Sequence, residues 1–380
     1  MIRYIMIMLL LPSWLVAQEL KIFPSSKAID DWNCTSDNQY DISELDSLLR
    51  PNKNFTKIES WSKNDWDLEK IEWYAKENLS QYWMDPDNYA DDYKAWLIYL
   101  FDEKQFALSP HRSNEDNFKK FAEHLLPLYY GYHALNTNGH LSPDEKDLLL
   151  SMIKIRSENL FKFIKNKNRH IYDLSKCGSK DIWTCNNGAY KLQLVRTLYG
   201  ATFNDNAHYD QGKKIFEIAI DGLSDDGALW REASRSKWSW MYYTSGLNLL
   251  ISIADIYYLN GENLYDYVSP NGNSIHSAVQ FLSEAIDDNE KMWKYAKTTK
   301  GVNHYDDWKN YKDTEHLDVL KFNGVDGYNA WFYIYATRYR DALVTKKLMS
   351  QIQLGDKIQW GYIGFDTHCF YPVENEYGSN

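Results

Sequence analysis

The 380-residue chain carries 53 acidic residues against 42 Lys and Arg, a net charge of −11. That sign argues against a general nucleic-acid binder and against docking on anionic lipid, but a local basic cleft could still hold an anion. Aromatic residues make up 16% of the chain, with 15 Trp and 30 Tyr. Packing between elements must account for most of these rings, and rings exposed in a cleft are what carbohydrate binders stack sugars on.

The chain begins with Arg3, an apolar run from Tyr4 to Leu11, and the small residue Ala17 before a polar stretch. This is the layout of a secretory signal peptide, and the run is shorter than the roughly 20 residues of a membrane span. Residues 1–17 are therefore expected to be removed. Residues 18–380 are expected to form a single soluble domain, periplasmic or secreted, monomeric, with no membrane contact in the mature form and no nucleic acid among its partners. Export permits disulfides. The four cysteines, Cys34, Cys177, Cys185 and Cys369, allow three pairings. The separation of Cys177 and Cys185 suits a local loop staple, which is the expected pairing and would leave Cys34 and Cys369 to join the chain ends. There is no C-x-x-C and no H-E-x-x-H, so neither a metal nor a cofactor is expected.

The segment 44–83 is polar, Trp-rich and weakly periodic. Beyond it the period is helical: Phe118, Phe121, Leu125, Leu128 and Tyr132, then Leu148, Met152 and Ile155, later Leu247, Leu250, Ile251, Ala254 and Tyr258. Ser142-Pro143-Asp144-Glu145 is a capping box with proline at the first helical position, and Ser113 with Asp116 is a weaker one. Asn136–Gly139 and Asn271–Asn273 read as loops. A short strand is expected only at Lys357–Tyr362. About ten to twelve helices with short connections and no fixed repeat argue against a regular solenoid. The expected fold is all-α: an incomplete (α/α) toroid over approximately residues 45–350, a ring of helical hairpins whose inner ends line one cleft.

The chemistry concentrates between Cys185 and Leu259. Asn186 and Asn187 stand before the run Tyr190–Tyr199, where asparagine is a good N-cap. The second amide could instead face an anion beside the positive end of the helix dipole. Arg231, Arg235, Trp238 and Tyr242 are spaced by four, three and four. On one continuous helix they would share a face, with an arginine able to clamp a carboxylate and a tyrosine within reach of the adjacent carbon. A surface arginine and a buried tyrosine are the plainer reading of such a pair. Asp225-Asp226-Gly227 suggests a glycosidase acid less than it suggests a turn.

Together these residues resemble the alginate lyase family of polysaccharide lyases, in particular the mannuronate lyases of family five. That family has Asn-Asn-His opening a helix and, 48 residues later, an Arg followed after seven by a Tyr, in an (E)xxRxxxxxxY pattern. Here Asn187, Arg235 and Tyr242 keep those spacings. The flanking DGLSDDGALWREASR and LNLLISIADIYYLNGENLYDY also look alike, and residues 327–341 match more weakly. The departure is Gly188, where the family has His. Tyr242 then acts alone, a histidine from elsewhere such as His170 or His208 serves, or the protein is a degenerate lyase. The resemblance implies β-elimination on an anionic polysaccharide without a cofactor. Tyr242, Arg235 and Asn187 would be catalytic, and Asn186, Arg231 and Trp238 would bind substrate. Tyr242 would serve as both base and acid on a manno-configured sugar if cationic neighbours lower its pKa. The competing readings are a sugar-binding toroid without turnover and a toroid glycoside hydrolase with paired carboxylates.

Overall fold

A computed structural model of the chain describes residues 20–22, 78–80, 82–83, 85–101, 115–166, 173–177, 185–297, 329–352 and 367–371. The expected leader, Cys34, Ser113, His170 and the expected strand Lys357–Tyr362 lie outside them. Among the described residues the regular structure is helical. The α-helices are α1 (Pro86–Phe101), α2 (Glu115–Thr137), α3 (Pro143–Asn166), α4 (Asn187–Phe203), α5 (Asn206–Asp221), α6 (Trp230–Ala233), α7 (Ser239–Leu259), α8 (Ile275–Asp287), α9 (Glu290–Ala296), α10 (Ala330–Arg338), α11 (Leu343–Gln351) and α12 (Thr367–Phe370). Among the described residues no helix is long and apolar enough to cross a membrane.

Local chemistry sets several of these boundaries. At α3 the capping box is formed: Ser142 N donates to Glu145 Oε2 at 2.8 Å and Glu145 N donates back to Ser142 Oγ at 3.4 Å. The α4–α5 connection is only two residues. Asn204 ends α4 in the left-handed conformation, with φ 53°, and Asp205 caps α5 by accepting from His208 N. So tight a hairpin requires Gly200, because a Cβ there would overlap the backbone of Tyr209. In α3 the buried stripe is Leu149, Met152, Ile153, Leu160 and Ile164, while Leu148 and Ile155 are exposed. Of the stripe expected for α3, Met152 is buried, while Leu149 and Ile153 take the buried places expected for Leu148 and Ile155.

Helix α7 is the centre of the fold. From Tyr243 to Tyr257 every residue is buried, as expected for a helix apolar all round. It packs against α4, α5, α6 and α10, while α2 packs on both α3 and α4. Each fully buried Leu or Ile of this core contributes roughly 1.5–3 kcal/mol. Of the buried polar groups of α7, Thr244, Ser245 and Ser252 bond back to its own carbonyls, whereas Asn248 and Asp255 are met from neighbouring elements. Asn248 Oδ1 accepts from Trp331 N at 2.6 Å and so caps α10. Asp255 receives a two-pronged Arg338 at 2.7 and 3.2 Å and the hydroxyl of Tyr371 at 2.5 Å. The described part of the resembling segment, 329–341, is thus anchored on α7 by this ion pair. The hairpins packed around α7 form the (α/α) toroid.

Candidate active site

The site is built where the start of α4 meets the chain between α6 and α7. Cys185 precedes α4 with φ 51°, and it is bonded to Cys177 with a Cα–Cα distance of 5.3 Å, the pairing expected from the spacing. Asn186 is the N-cap: extended, buried, its Oδ1 accepting from Gly188 N at 3.0 Å. Asn187 is the first residue of α4 and half-buried. Its backbone N–H donates to Glu232 Oε1 at 2.6 Å. The two asparagines therefore divide the roles. Asn186 takes the capping bond, and Asn187 sits at the positive end of the helix.

The stretch 230–242 is not the continuous helix that would put Arg231, Arg235, Trp238 and Tyr242 on one face. Helix α6 ends at Ala233, a 3-10 turn runs from Ser236 to Trp238, and α7 starts at Ser239. The break is at Ser236, whose φ is 53°. The Ser239 hydroxyl holds the bend, donating to Ser236 O at 2.7 Å and accepting from Arg235 N at 3.2 Å. As a result the four side chains diverge. Arg231 turns inward, lies over the Trp230 ring at 4.7 Å and donates to Cys177 O at 2.7 Å, tying α6 to the disulfide. Trp238 is 41% exposed with the Lys237 ammonium 5.0 Å from its ring. Arg235 is 2% exposed, donates Nε to Arg231 O at 3.1 Å, and places its guanidinium 4.9 Å from the centre of the Tyr242 ring. Arg235 and Tyr242 are brought together; Arg231 and Trp238 point elsewhere.

Glu232 connects these parts. It is fully buried, with one carboxylate oxygen on the N–H of Asn187 and the other 4.0 Å from Arg235 Nε. Helix α7 comes close enough only because Gly246 lies one turn beyond Tyr242: a Cβ there would stand 3.1 Å from Glu232 Cγ. The aim of Tyr242 is set by its neighbour Tyr243, fully buried, which donates to Ala278 O at 2.9 Å and accepts from Leu229 N at 3.4 Å. Burial, and then the charge of Glu232, push the Tyr190 hydroxyl well above the ordinary phenol range, so Tyr190 stays neutral. One turn into α4, Lys191 forms a buried ion pair with Glu123 of α2.

Glu232 is the Glu of the E-x-x-R pattern, but the pattern alone does not reveal its bond to Asn187. Lys191 and Glu123 carried no local signal. Neither described histidine near this region serves the site. His208 is hydrogen-bonded to Asp205 at 2.9 Å and packs on Phe161 and Tyr199, about 18 Å along α4 from Asn187. His133 is buried against Thr202 at 2.8 Å, near the far end of the same helix. Asp226 belongs to a turn with Gly227 at φ 83°, and accepts from Ser224, Tyr295 and Lys294. These bonds outweigh desolvation and hold its carboxyl down at about 2, which suits a structural turn and not a glycosidase acid.

Residues 157–293 match the family model described as alginate lyase, a span that contains all the site residues above except Glu123. A search of curated proteins finds no match. Among solved structures, a Tyr-to-Phe variant of alginate lyase A1-III complexed with a tetrasaccharide aligns with a TM-score of 0.57 at 18% identity, covering 81% of this chain and 77% of that one. Alginate lyase A1-III from Sphingomonas species A1 aligns at 0.57 and 17%, covering 93% and 84%. An alginate lyase from Bacteroides ovatus aligns at 0.53 and 13%, covering 81% and 74%. At such identities the structures speak for the fold, and the family model speaks for the segment that carries the site. Taken together, the segment 157–293 resembles the alginate lyase family, and the chain shares the fold of the solved alginate lyases.

Proposed function

We propose that the chain, exported as residues 18–380 and acting as a monomer, cleaves a uronate polysaccharide by β-elimination, with alginate of the mannuronate type as substrate. The observation that carries this reading is the Arg235 guanidinium stacked on Tyr242, joined through Glu232 to the first turn of α4, where Asn187 sits.

A uronate carboxylate on C5 makes the C5 proton weakly acidic. Arg235, Asn187 and the positive end of α4 neutralise that carboxylate and then hold the enediolate formed as the proton leaves; preorganised donors of this kind are worth about 10²–10³-fold each. Tyr242, as the phenolate, takes the C5 proton and becomes the phenol. The C5–H electron pair forms the C4–C5 double bond, the C4–O4 bond breaks, and the proton passes to O4. Tyr242 is regenerated and the new chain end is unsaturated. In a manno-configured sugar the C5 proton and O4 lie on one face, so one phenol serves both steps. The positive charge of Arg235 beside the ring stabilises the negative charge that the oxygen carries before it takes that proton. The related structures named for a bound tetrasaccharide carry a Tyr-to-Phe or a His-to-Ala change. This chain keeps a tyrosine at 242 and has glycine at 188.

Gly188 favours one second reading, glycan binding without turnover. Incubation of the purified protein with polymannuronate, polyguluronate and glucuronan separates the two. Ultraviolet absorbance of unsaturated product, highest with polymannuronate, is the expected result. Binding of any of these polymers with no absorbing product would establish the second reading.

A further inference from the structure

We infer that Lys191, held by Glu123, is a further substrate-binding cation of this site and contacts the uronate carboxylate beneath Gly188; the inference rests on the elimination reading above. Viewed down α4 at 100° per residue, Gly188 lies about 100° from Asn187 and Lys191 about 40° from it, between the two and one turn deeper. Helical side chains tilt toward the N-terminus. The four-carbon stem of Lys191 therefore runs back under Asn187 and Gly188, and glycine places no side chain in its way. The ammonium is delivered to the turn where the carboxylate is expected.

Packing alone does not account for a lysine here. Lys191 is 5% exposed and Glu123 8% exposed. A buried ion pair usually contributes less than the apolar residues that could replace it. The second turn of a helix is also near the positive end of the dipole, where a cation is disfavoured. An anion bound at the start of α4 reverses both terms. It supplies Lys191 with a further negative partner and offsets the dipole. Burial is the rule for the cations of this site, since Arg235 is 2% exposed. Glu123 reaches in from α2, which packs directly on α4, and it fixes the ammonium before substrate arrives, so little ordering is left to occur on binding.

The test uses the full chain on polymannuronate. The double variant Lys191→Met with Glu123→Leu removes both charges and should melt at or above the wild-type temperature. It should nevertheless lose about 10²-fold in kcat/KM. Glu123→Gln keeps the cation and should stay within about tenfold of the wild type. A folded double variant with wild-type kcat/KM overturns the inference, as does Glu123→Gln falling as far as the double variant. Should the double variant not fold, Lys191→Gln must lose at least about tenfold more than Lys191→Arg, and equal losses overturn it. If the wild type makes no unsaturated product, the elimination reading fails on its own. Calorimetric binding of a mannuronate oligosaccharide then decides for Lys191: weaker binding by the double variant supports it and equal binding overturns it.

Discussion

Glu232 offers the sharpest test of how the site is held. The fully buried carboxylate accepts from Asn187 N at 2.6 Å and stands 4.0 Å from Arg235 Nε, a residue itself only 2% exposed. Glu232→Gln keeps the shape and removes the charge. The bond to Asn187 changes from charge-assisted to neutral, a loss of about 1 kcal/mol. Arg235 loses a counter-charge; breaking a buried pair costs about 3–5 kcal/mol when the geometry is close. At 4.0 Å the contact is at the edge of that class, so about 1–2 kcal/mol is the reasonable share. The total is about 2–3 kcal/mol for Gln and nearer 5 for Glu232→Leu, which also leaves the Asn187 N–H unpaired. Urea unfolding measures this directly, with Glu290→Gln as control. The Glu290–Lys297 pair lies at 3.2 Å with both side chains largely in solvent, so its loss should cost less than about 1 kcal/mol. The catalytic effect should exceed the stability effect, because Asn187 and Arg235 share Glu232 as their mount. A Glu232→Gln protein with the wild-type urea midpoint and the wild-type rate would refute the account.

Four further outcomes follow from the same geometry. Tyr242→Phe should abolish turnover of polymannuronate while leaving binding nearly intact, since the hydroxyl acts only as the proton moves. Arg235→Ala should damage kcat and KM together, and Asn187→Ala should fall between the two when steady-state rates are compared. Reduction of Cys177–Cys185, or Ser at both positions, should cost about 2–3 kcal/mol in urea unfolding, as for any short closed loop; activity should fall further, because the disulfide bears on both Asn187 and, through Cys177 O, Arg231. Burial, and next the charge of Lys146, lower the pKa of His133 from 6.5 to about 3. The unfolded chain therefore takes up this proton first, and stability should fall as pH drops from 6.5 toward 3, by at most about 1.4 kcal/mol per pH unit; His133→Gln should flatten that part of a pH-dependent unfolding series.

Features encoded by neighbouring residues were legible in the sequence. The Ser142–Glu145 capping box, the Asp226–Gly227 turn and the Cys177–Cys185 staple need only a few residues to specify them. The α/α character follows from period and short loops. What escaped was set by tertiary contact. The stretch 230–242 has helical spacing throughout, but a left-handed Ser236, held through Ser239, breaks it and sends Arg231 to the disulfide. In α3 both Leu148 and Leu149 continue an apolar period, and only the packing of α2 selects Leu149. Glu232 meets Asn187 across 45 residues, and no periodicity reports a pairing at that range.

On the proposed reading, a chain of net charge −11 that acts on a polyanion needs its positive charge to be placed, since it is not abundant. The fold places it by burial. Arg235 and Lys191 are nearly sequestered and lie by the first turns of α4, whose dipole adds its own positive end. Surface carboxylates are screened beyond about 8 Å at physiological salt, whereas buried charges are not. The excess acid on the surface therefore weakens with distance and ionic strength, while the cations at α4 keep their effect on a carboxylate in contact with them. Their protein partners serve the same end. Arg231 O and Glu123 fix the two cations beforehand, so on the proposed reading the field at the carboxylate exists before it binds. On the proposed mechanism that matters more than total charge. The enediolate concentrates its negative charge at a single group, and only donors already oriented toward that group stabilise it without reorganising as the C5 proton leaves.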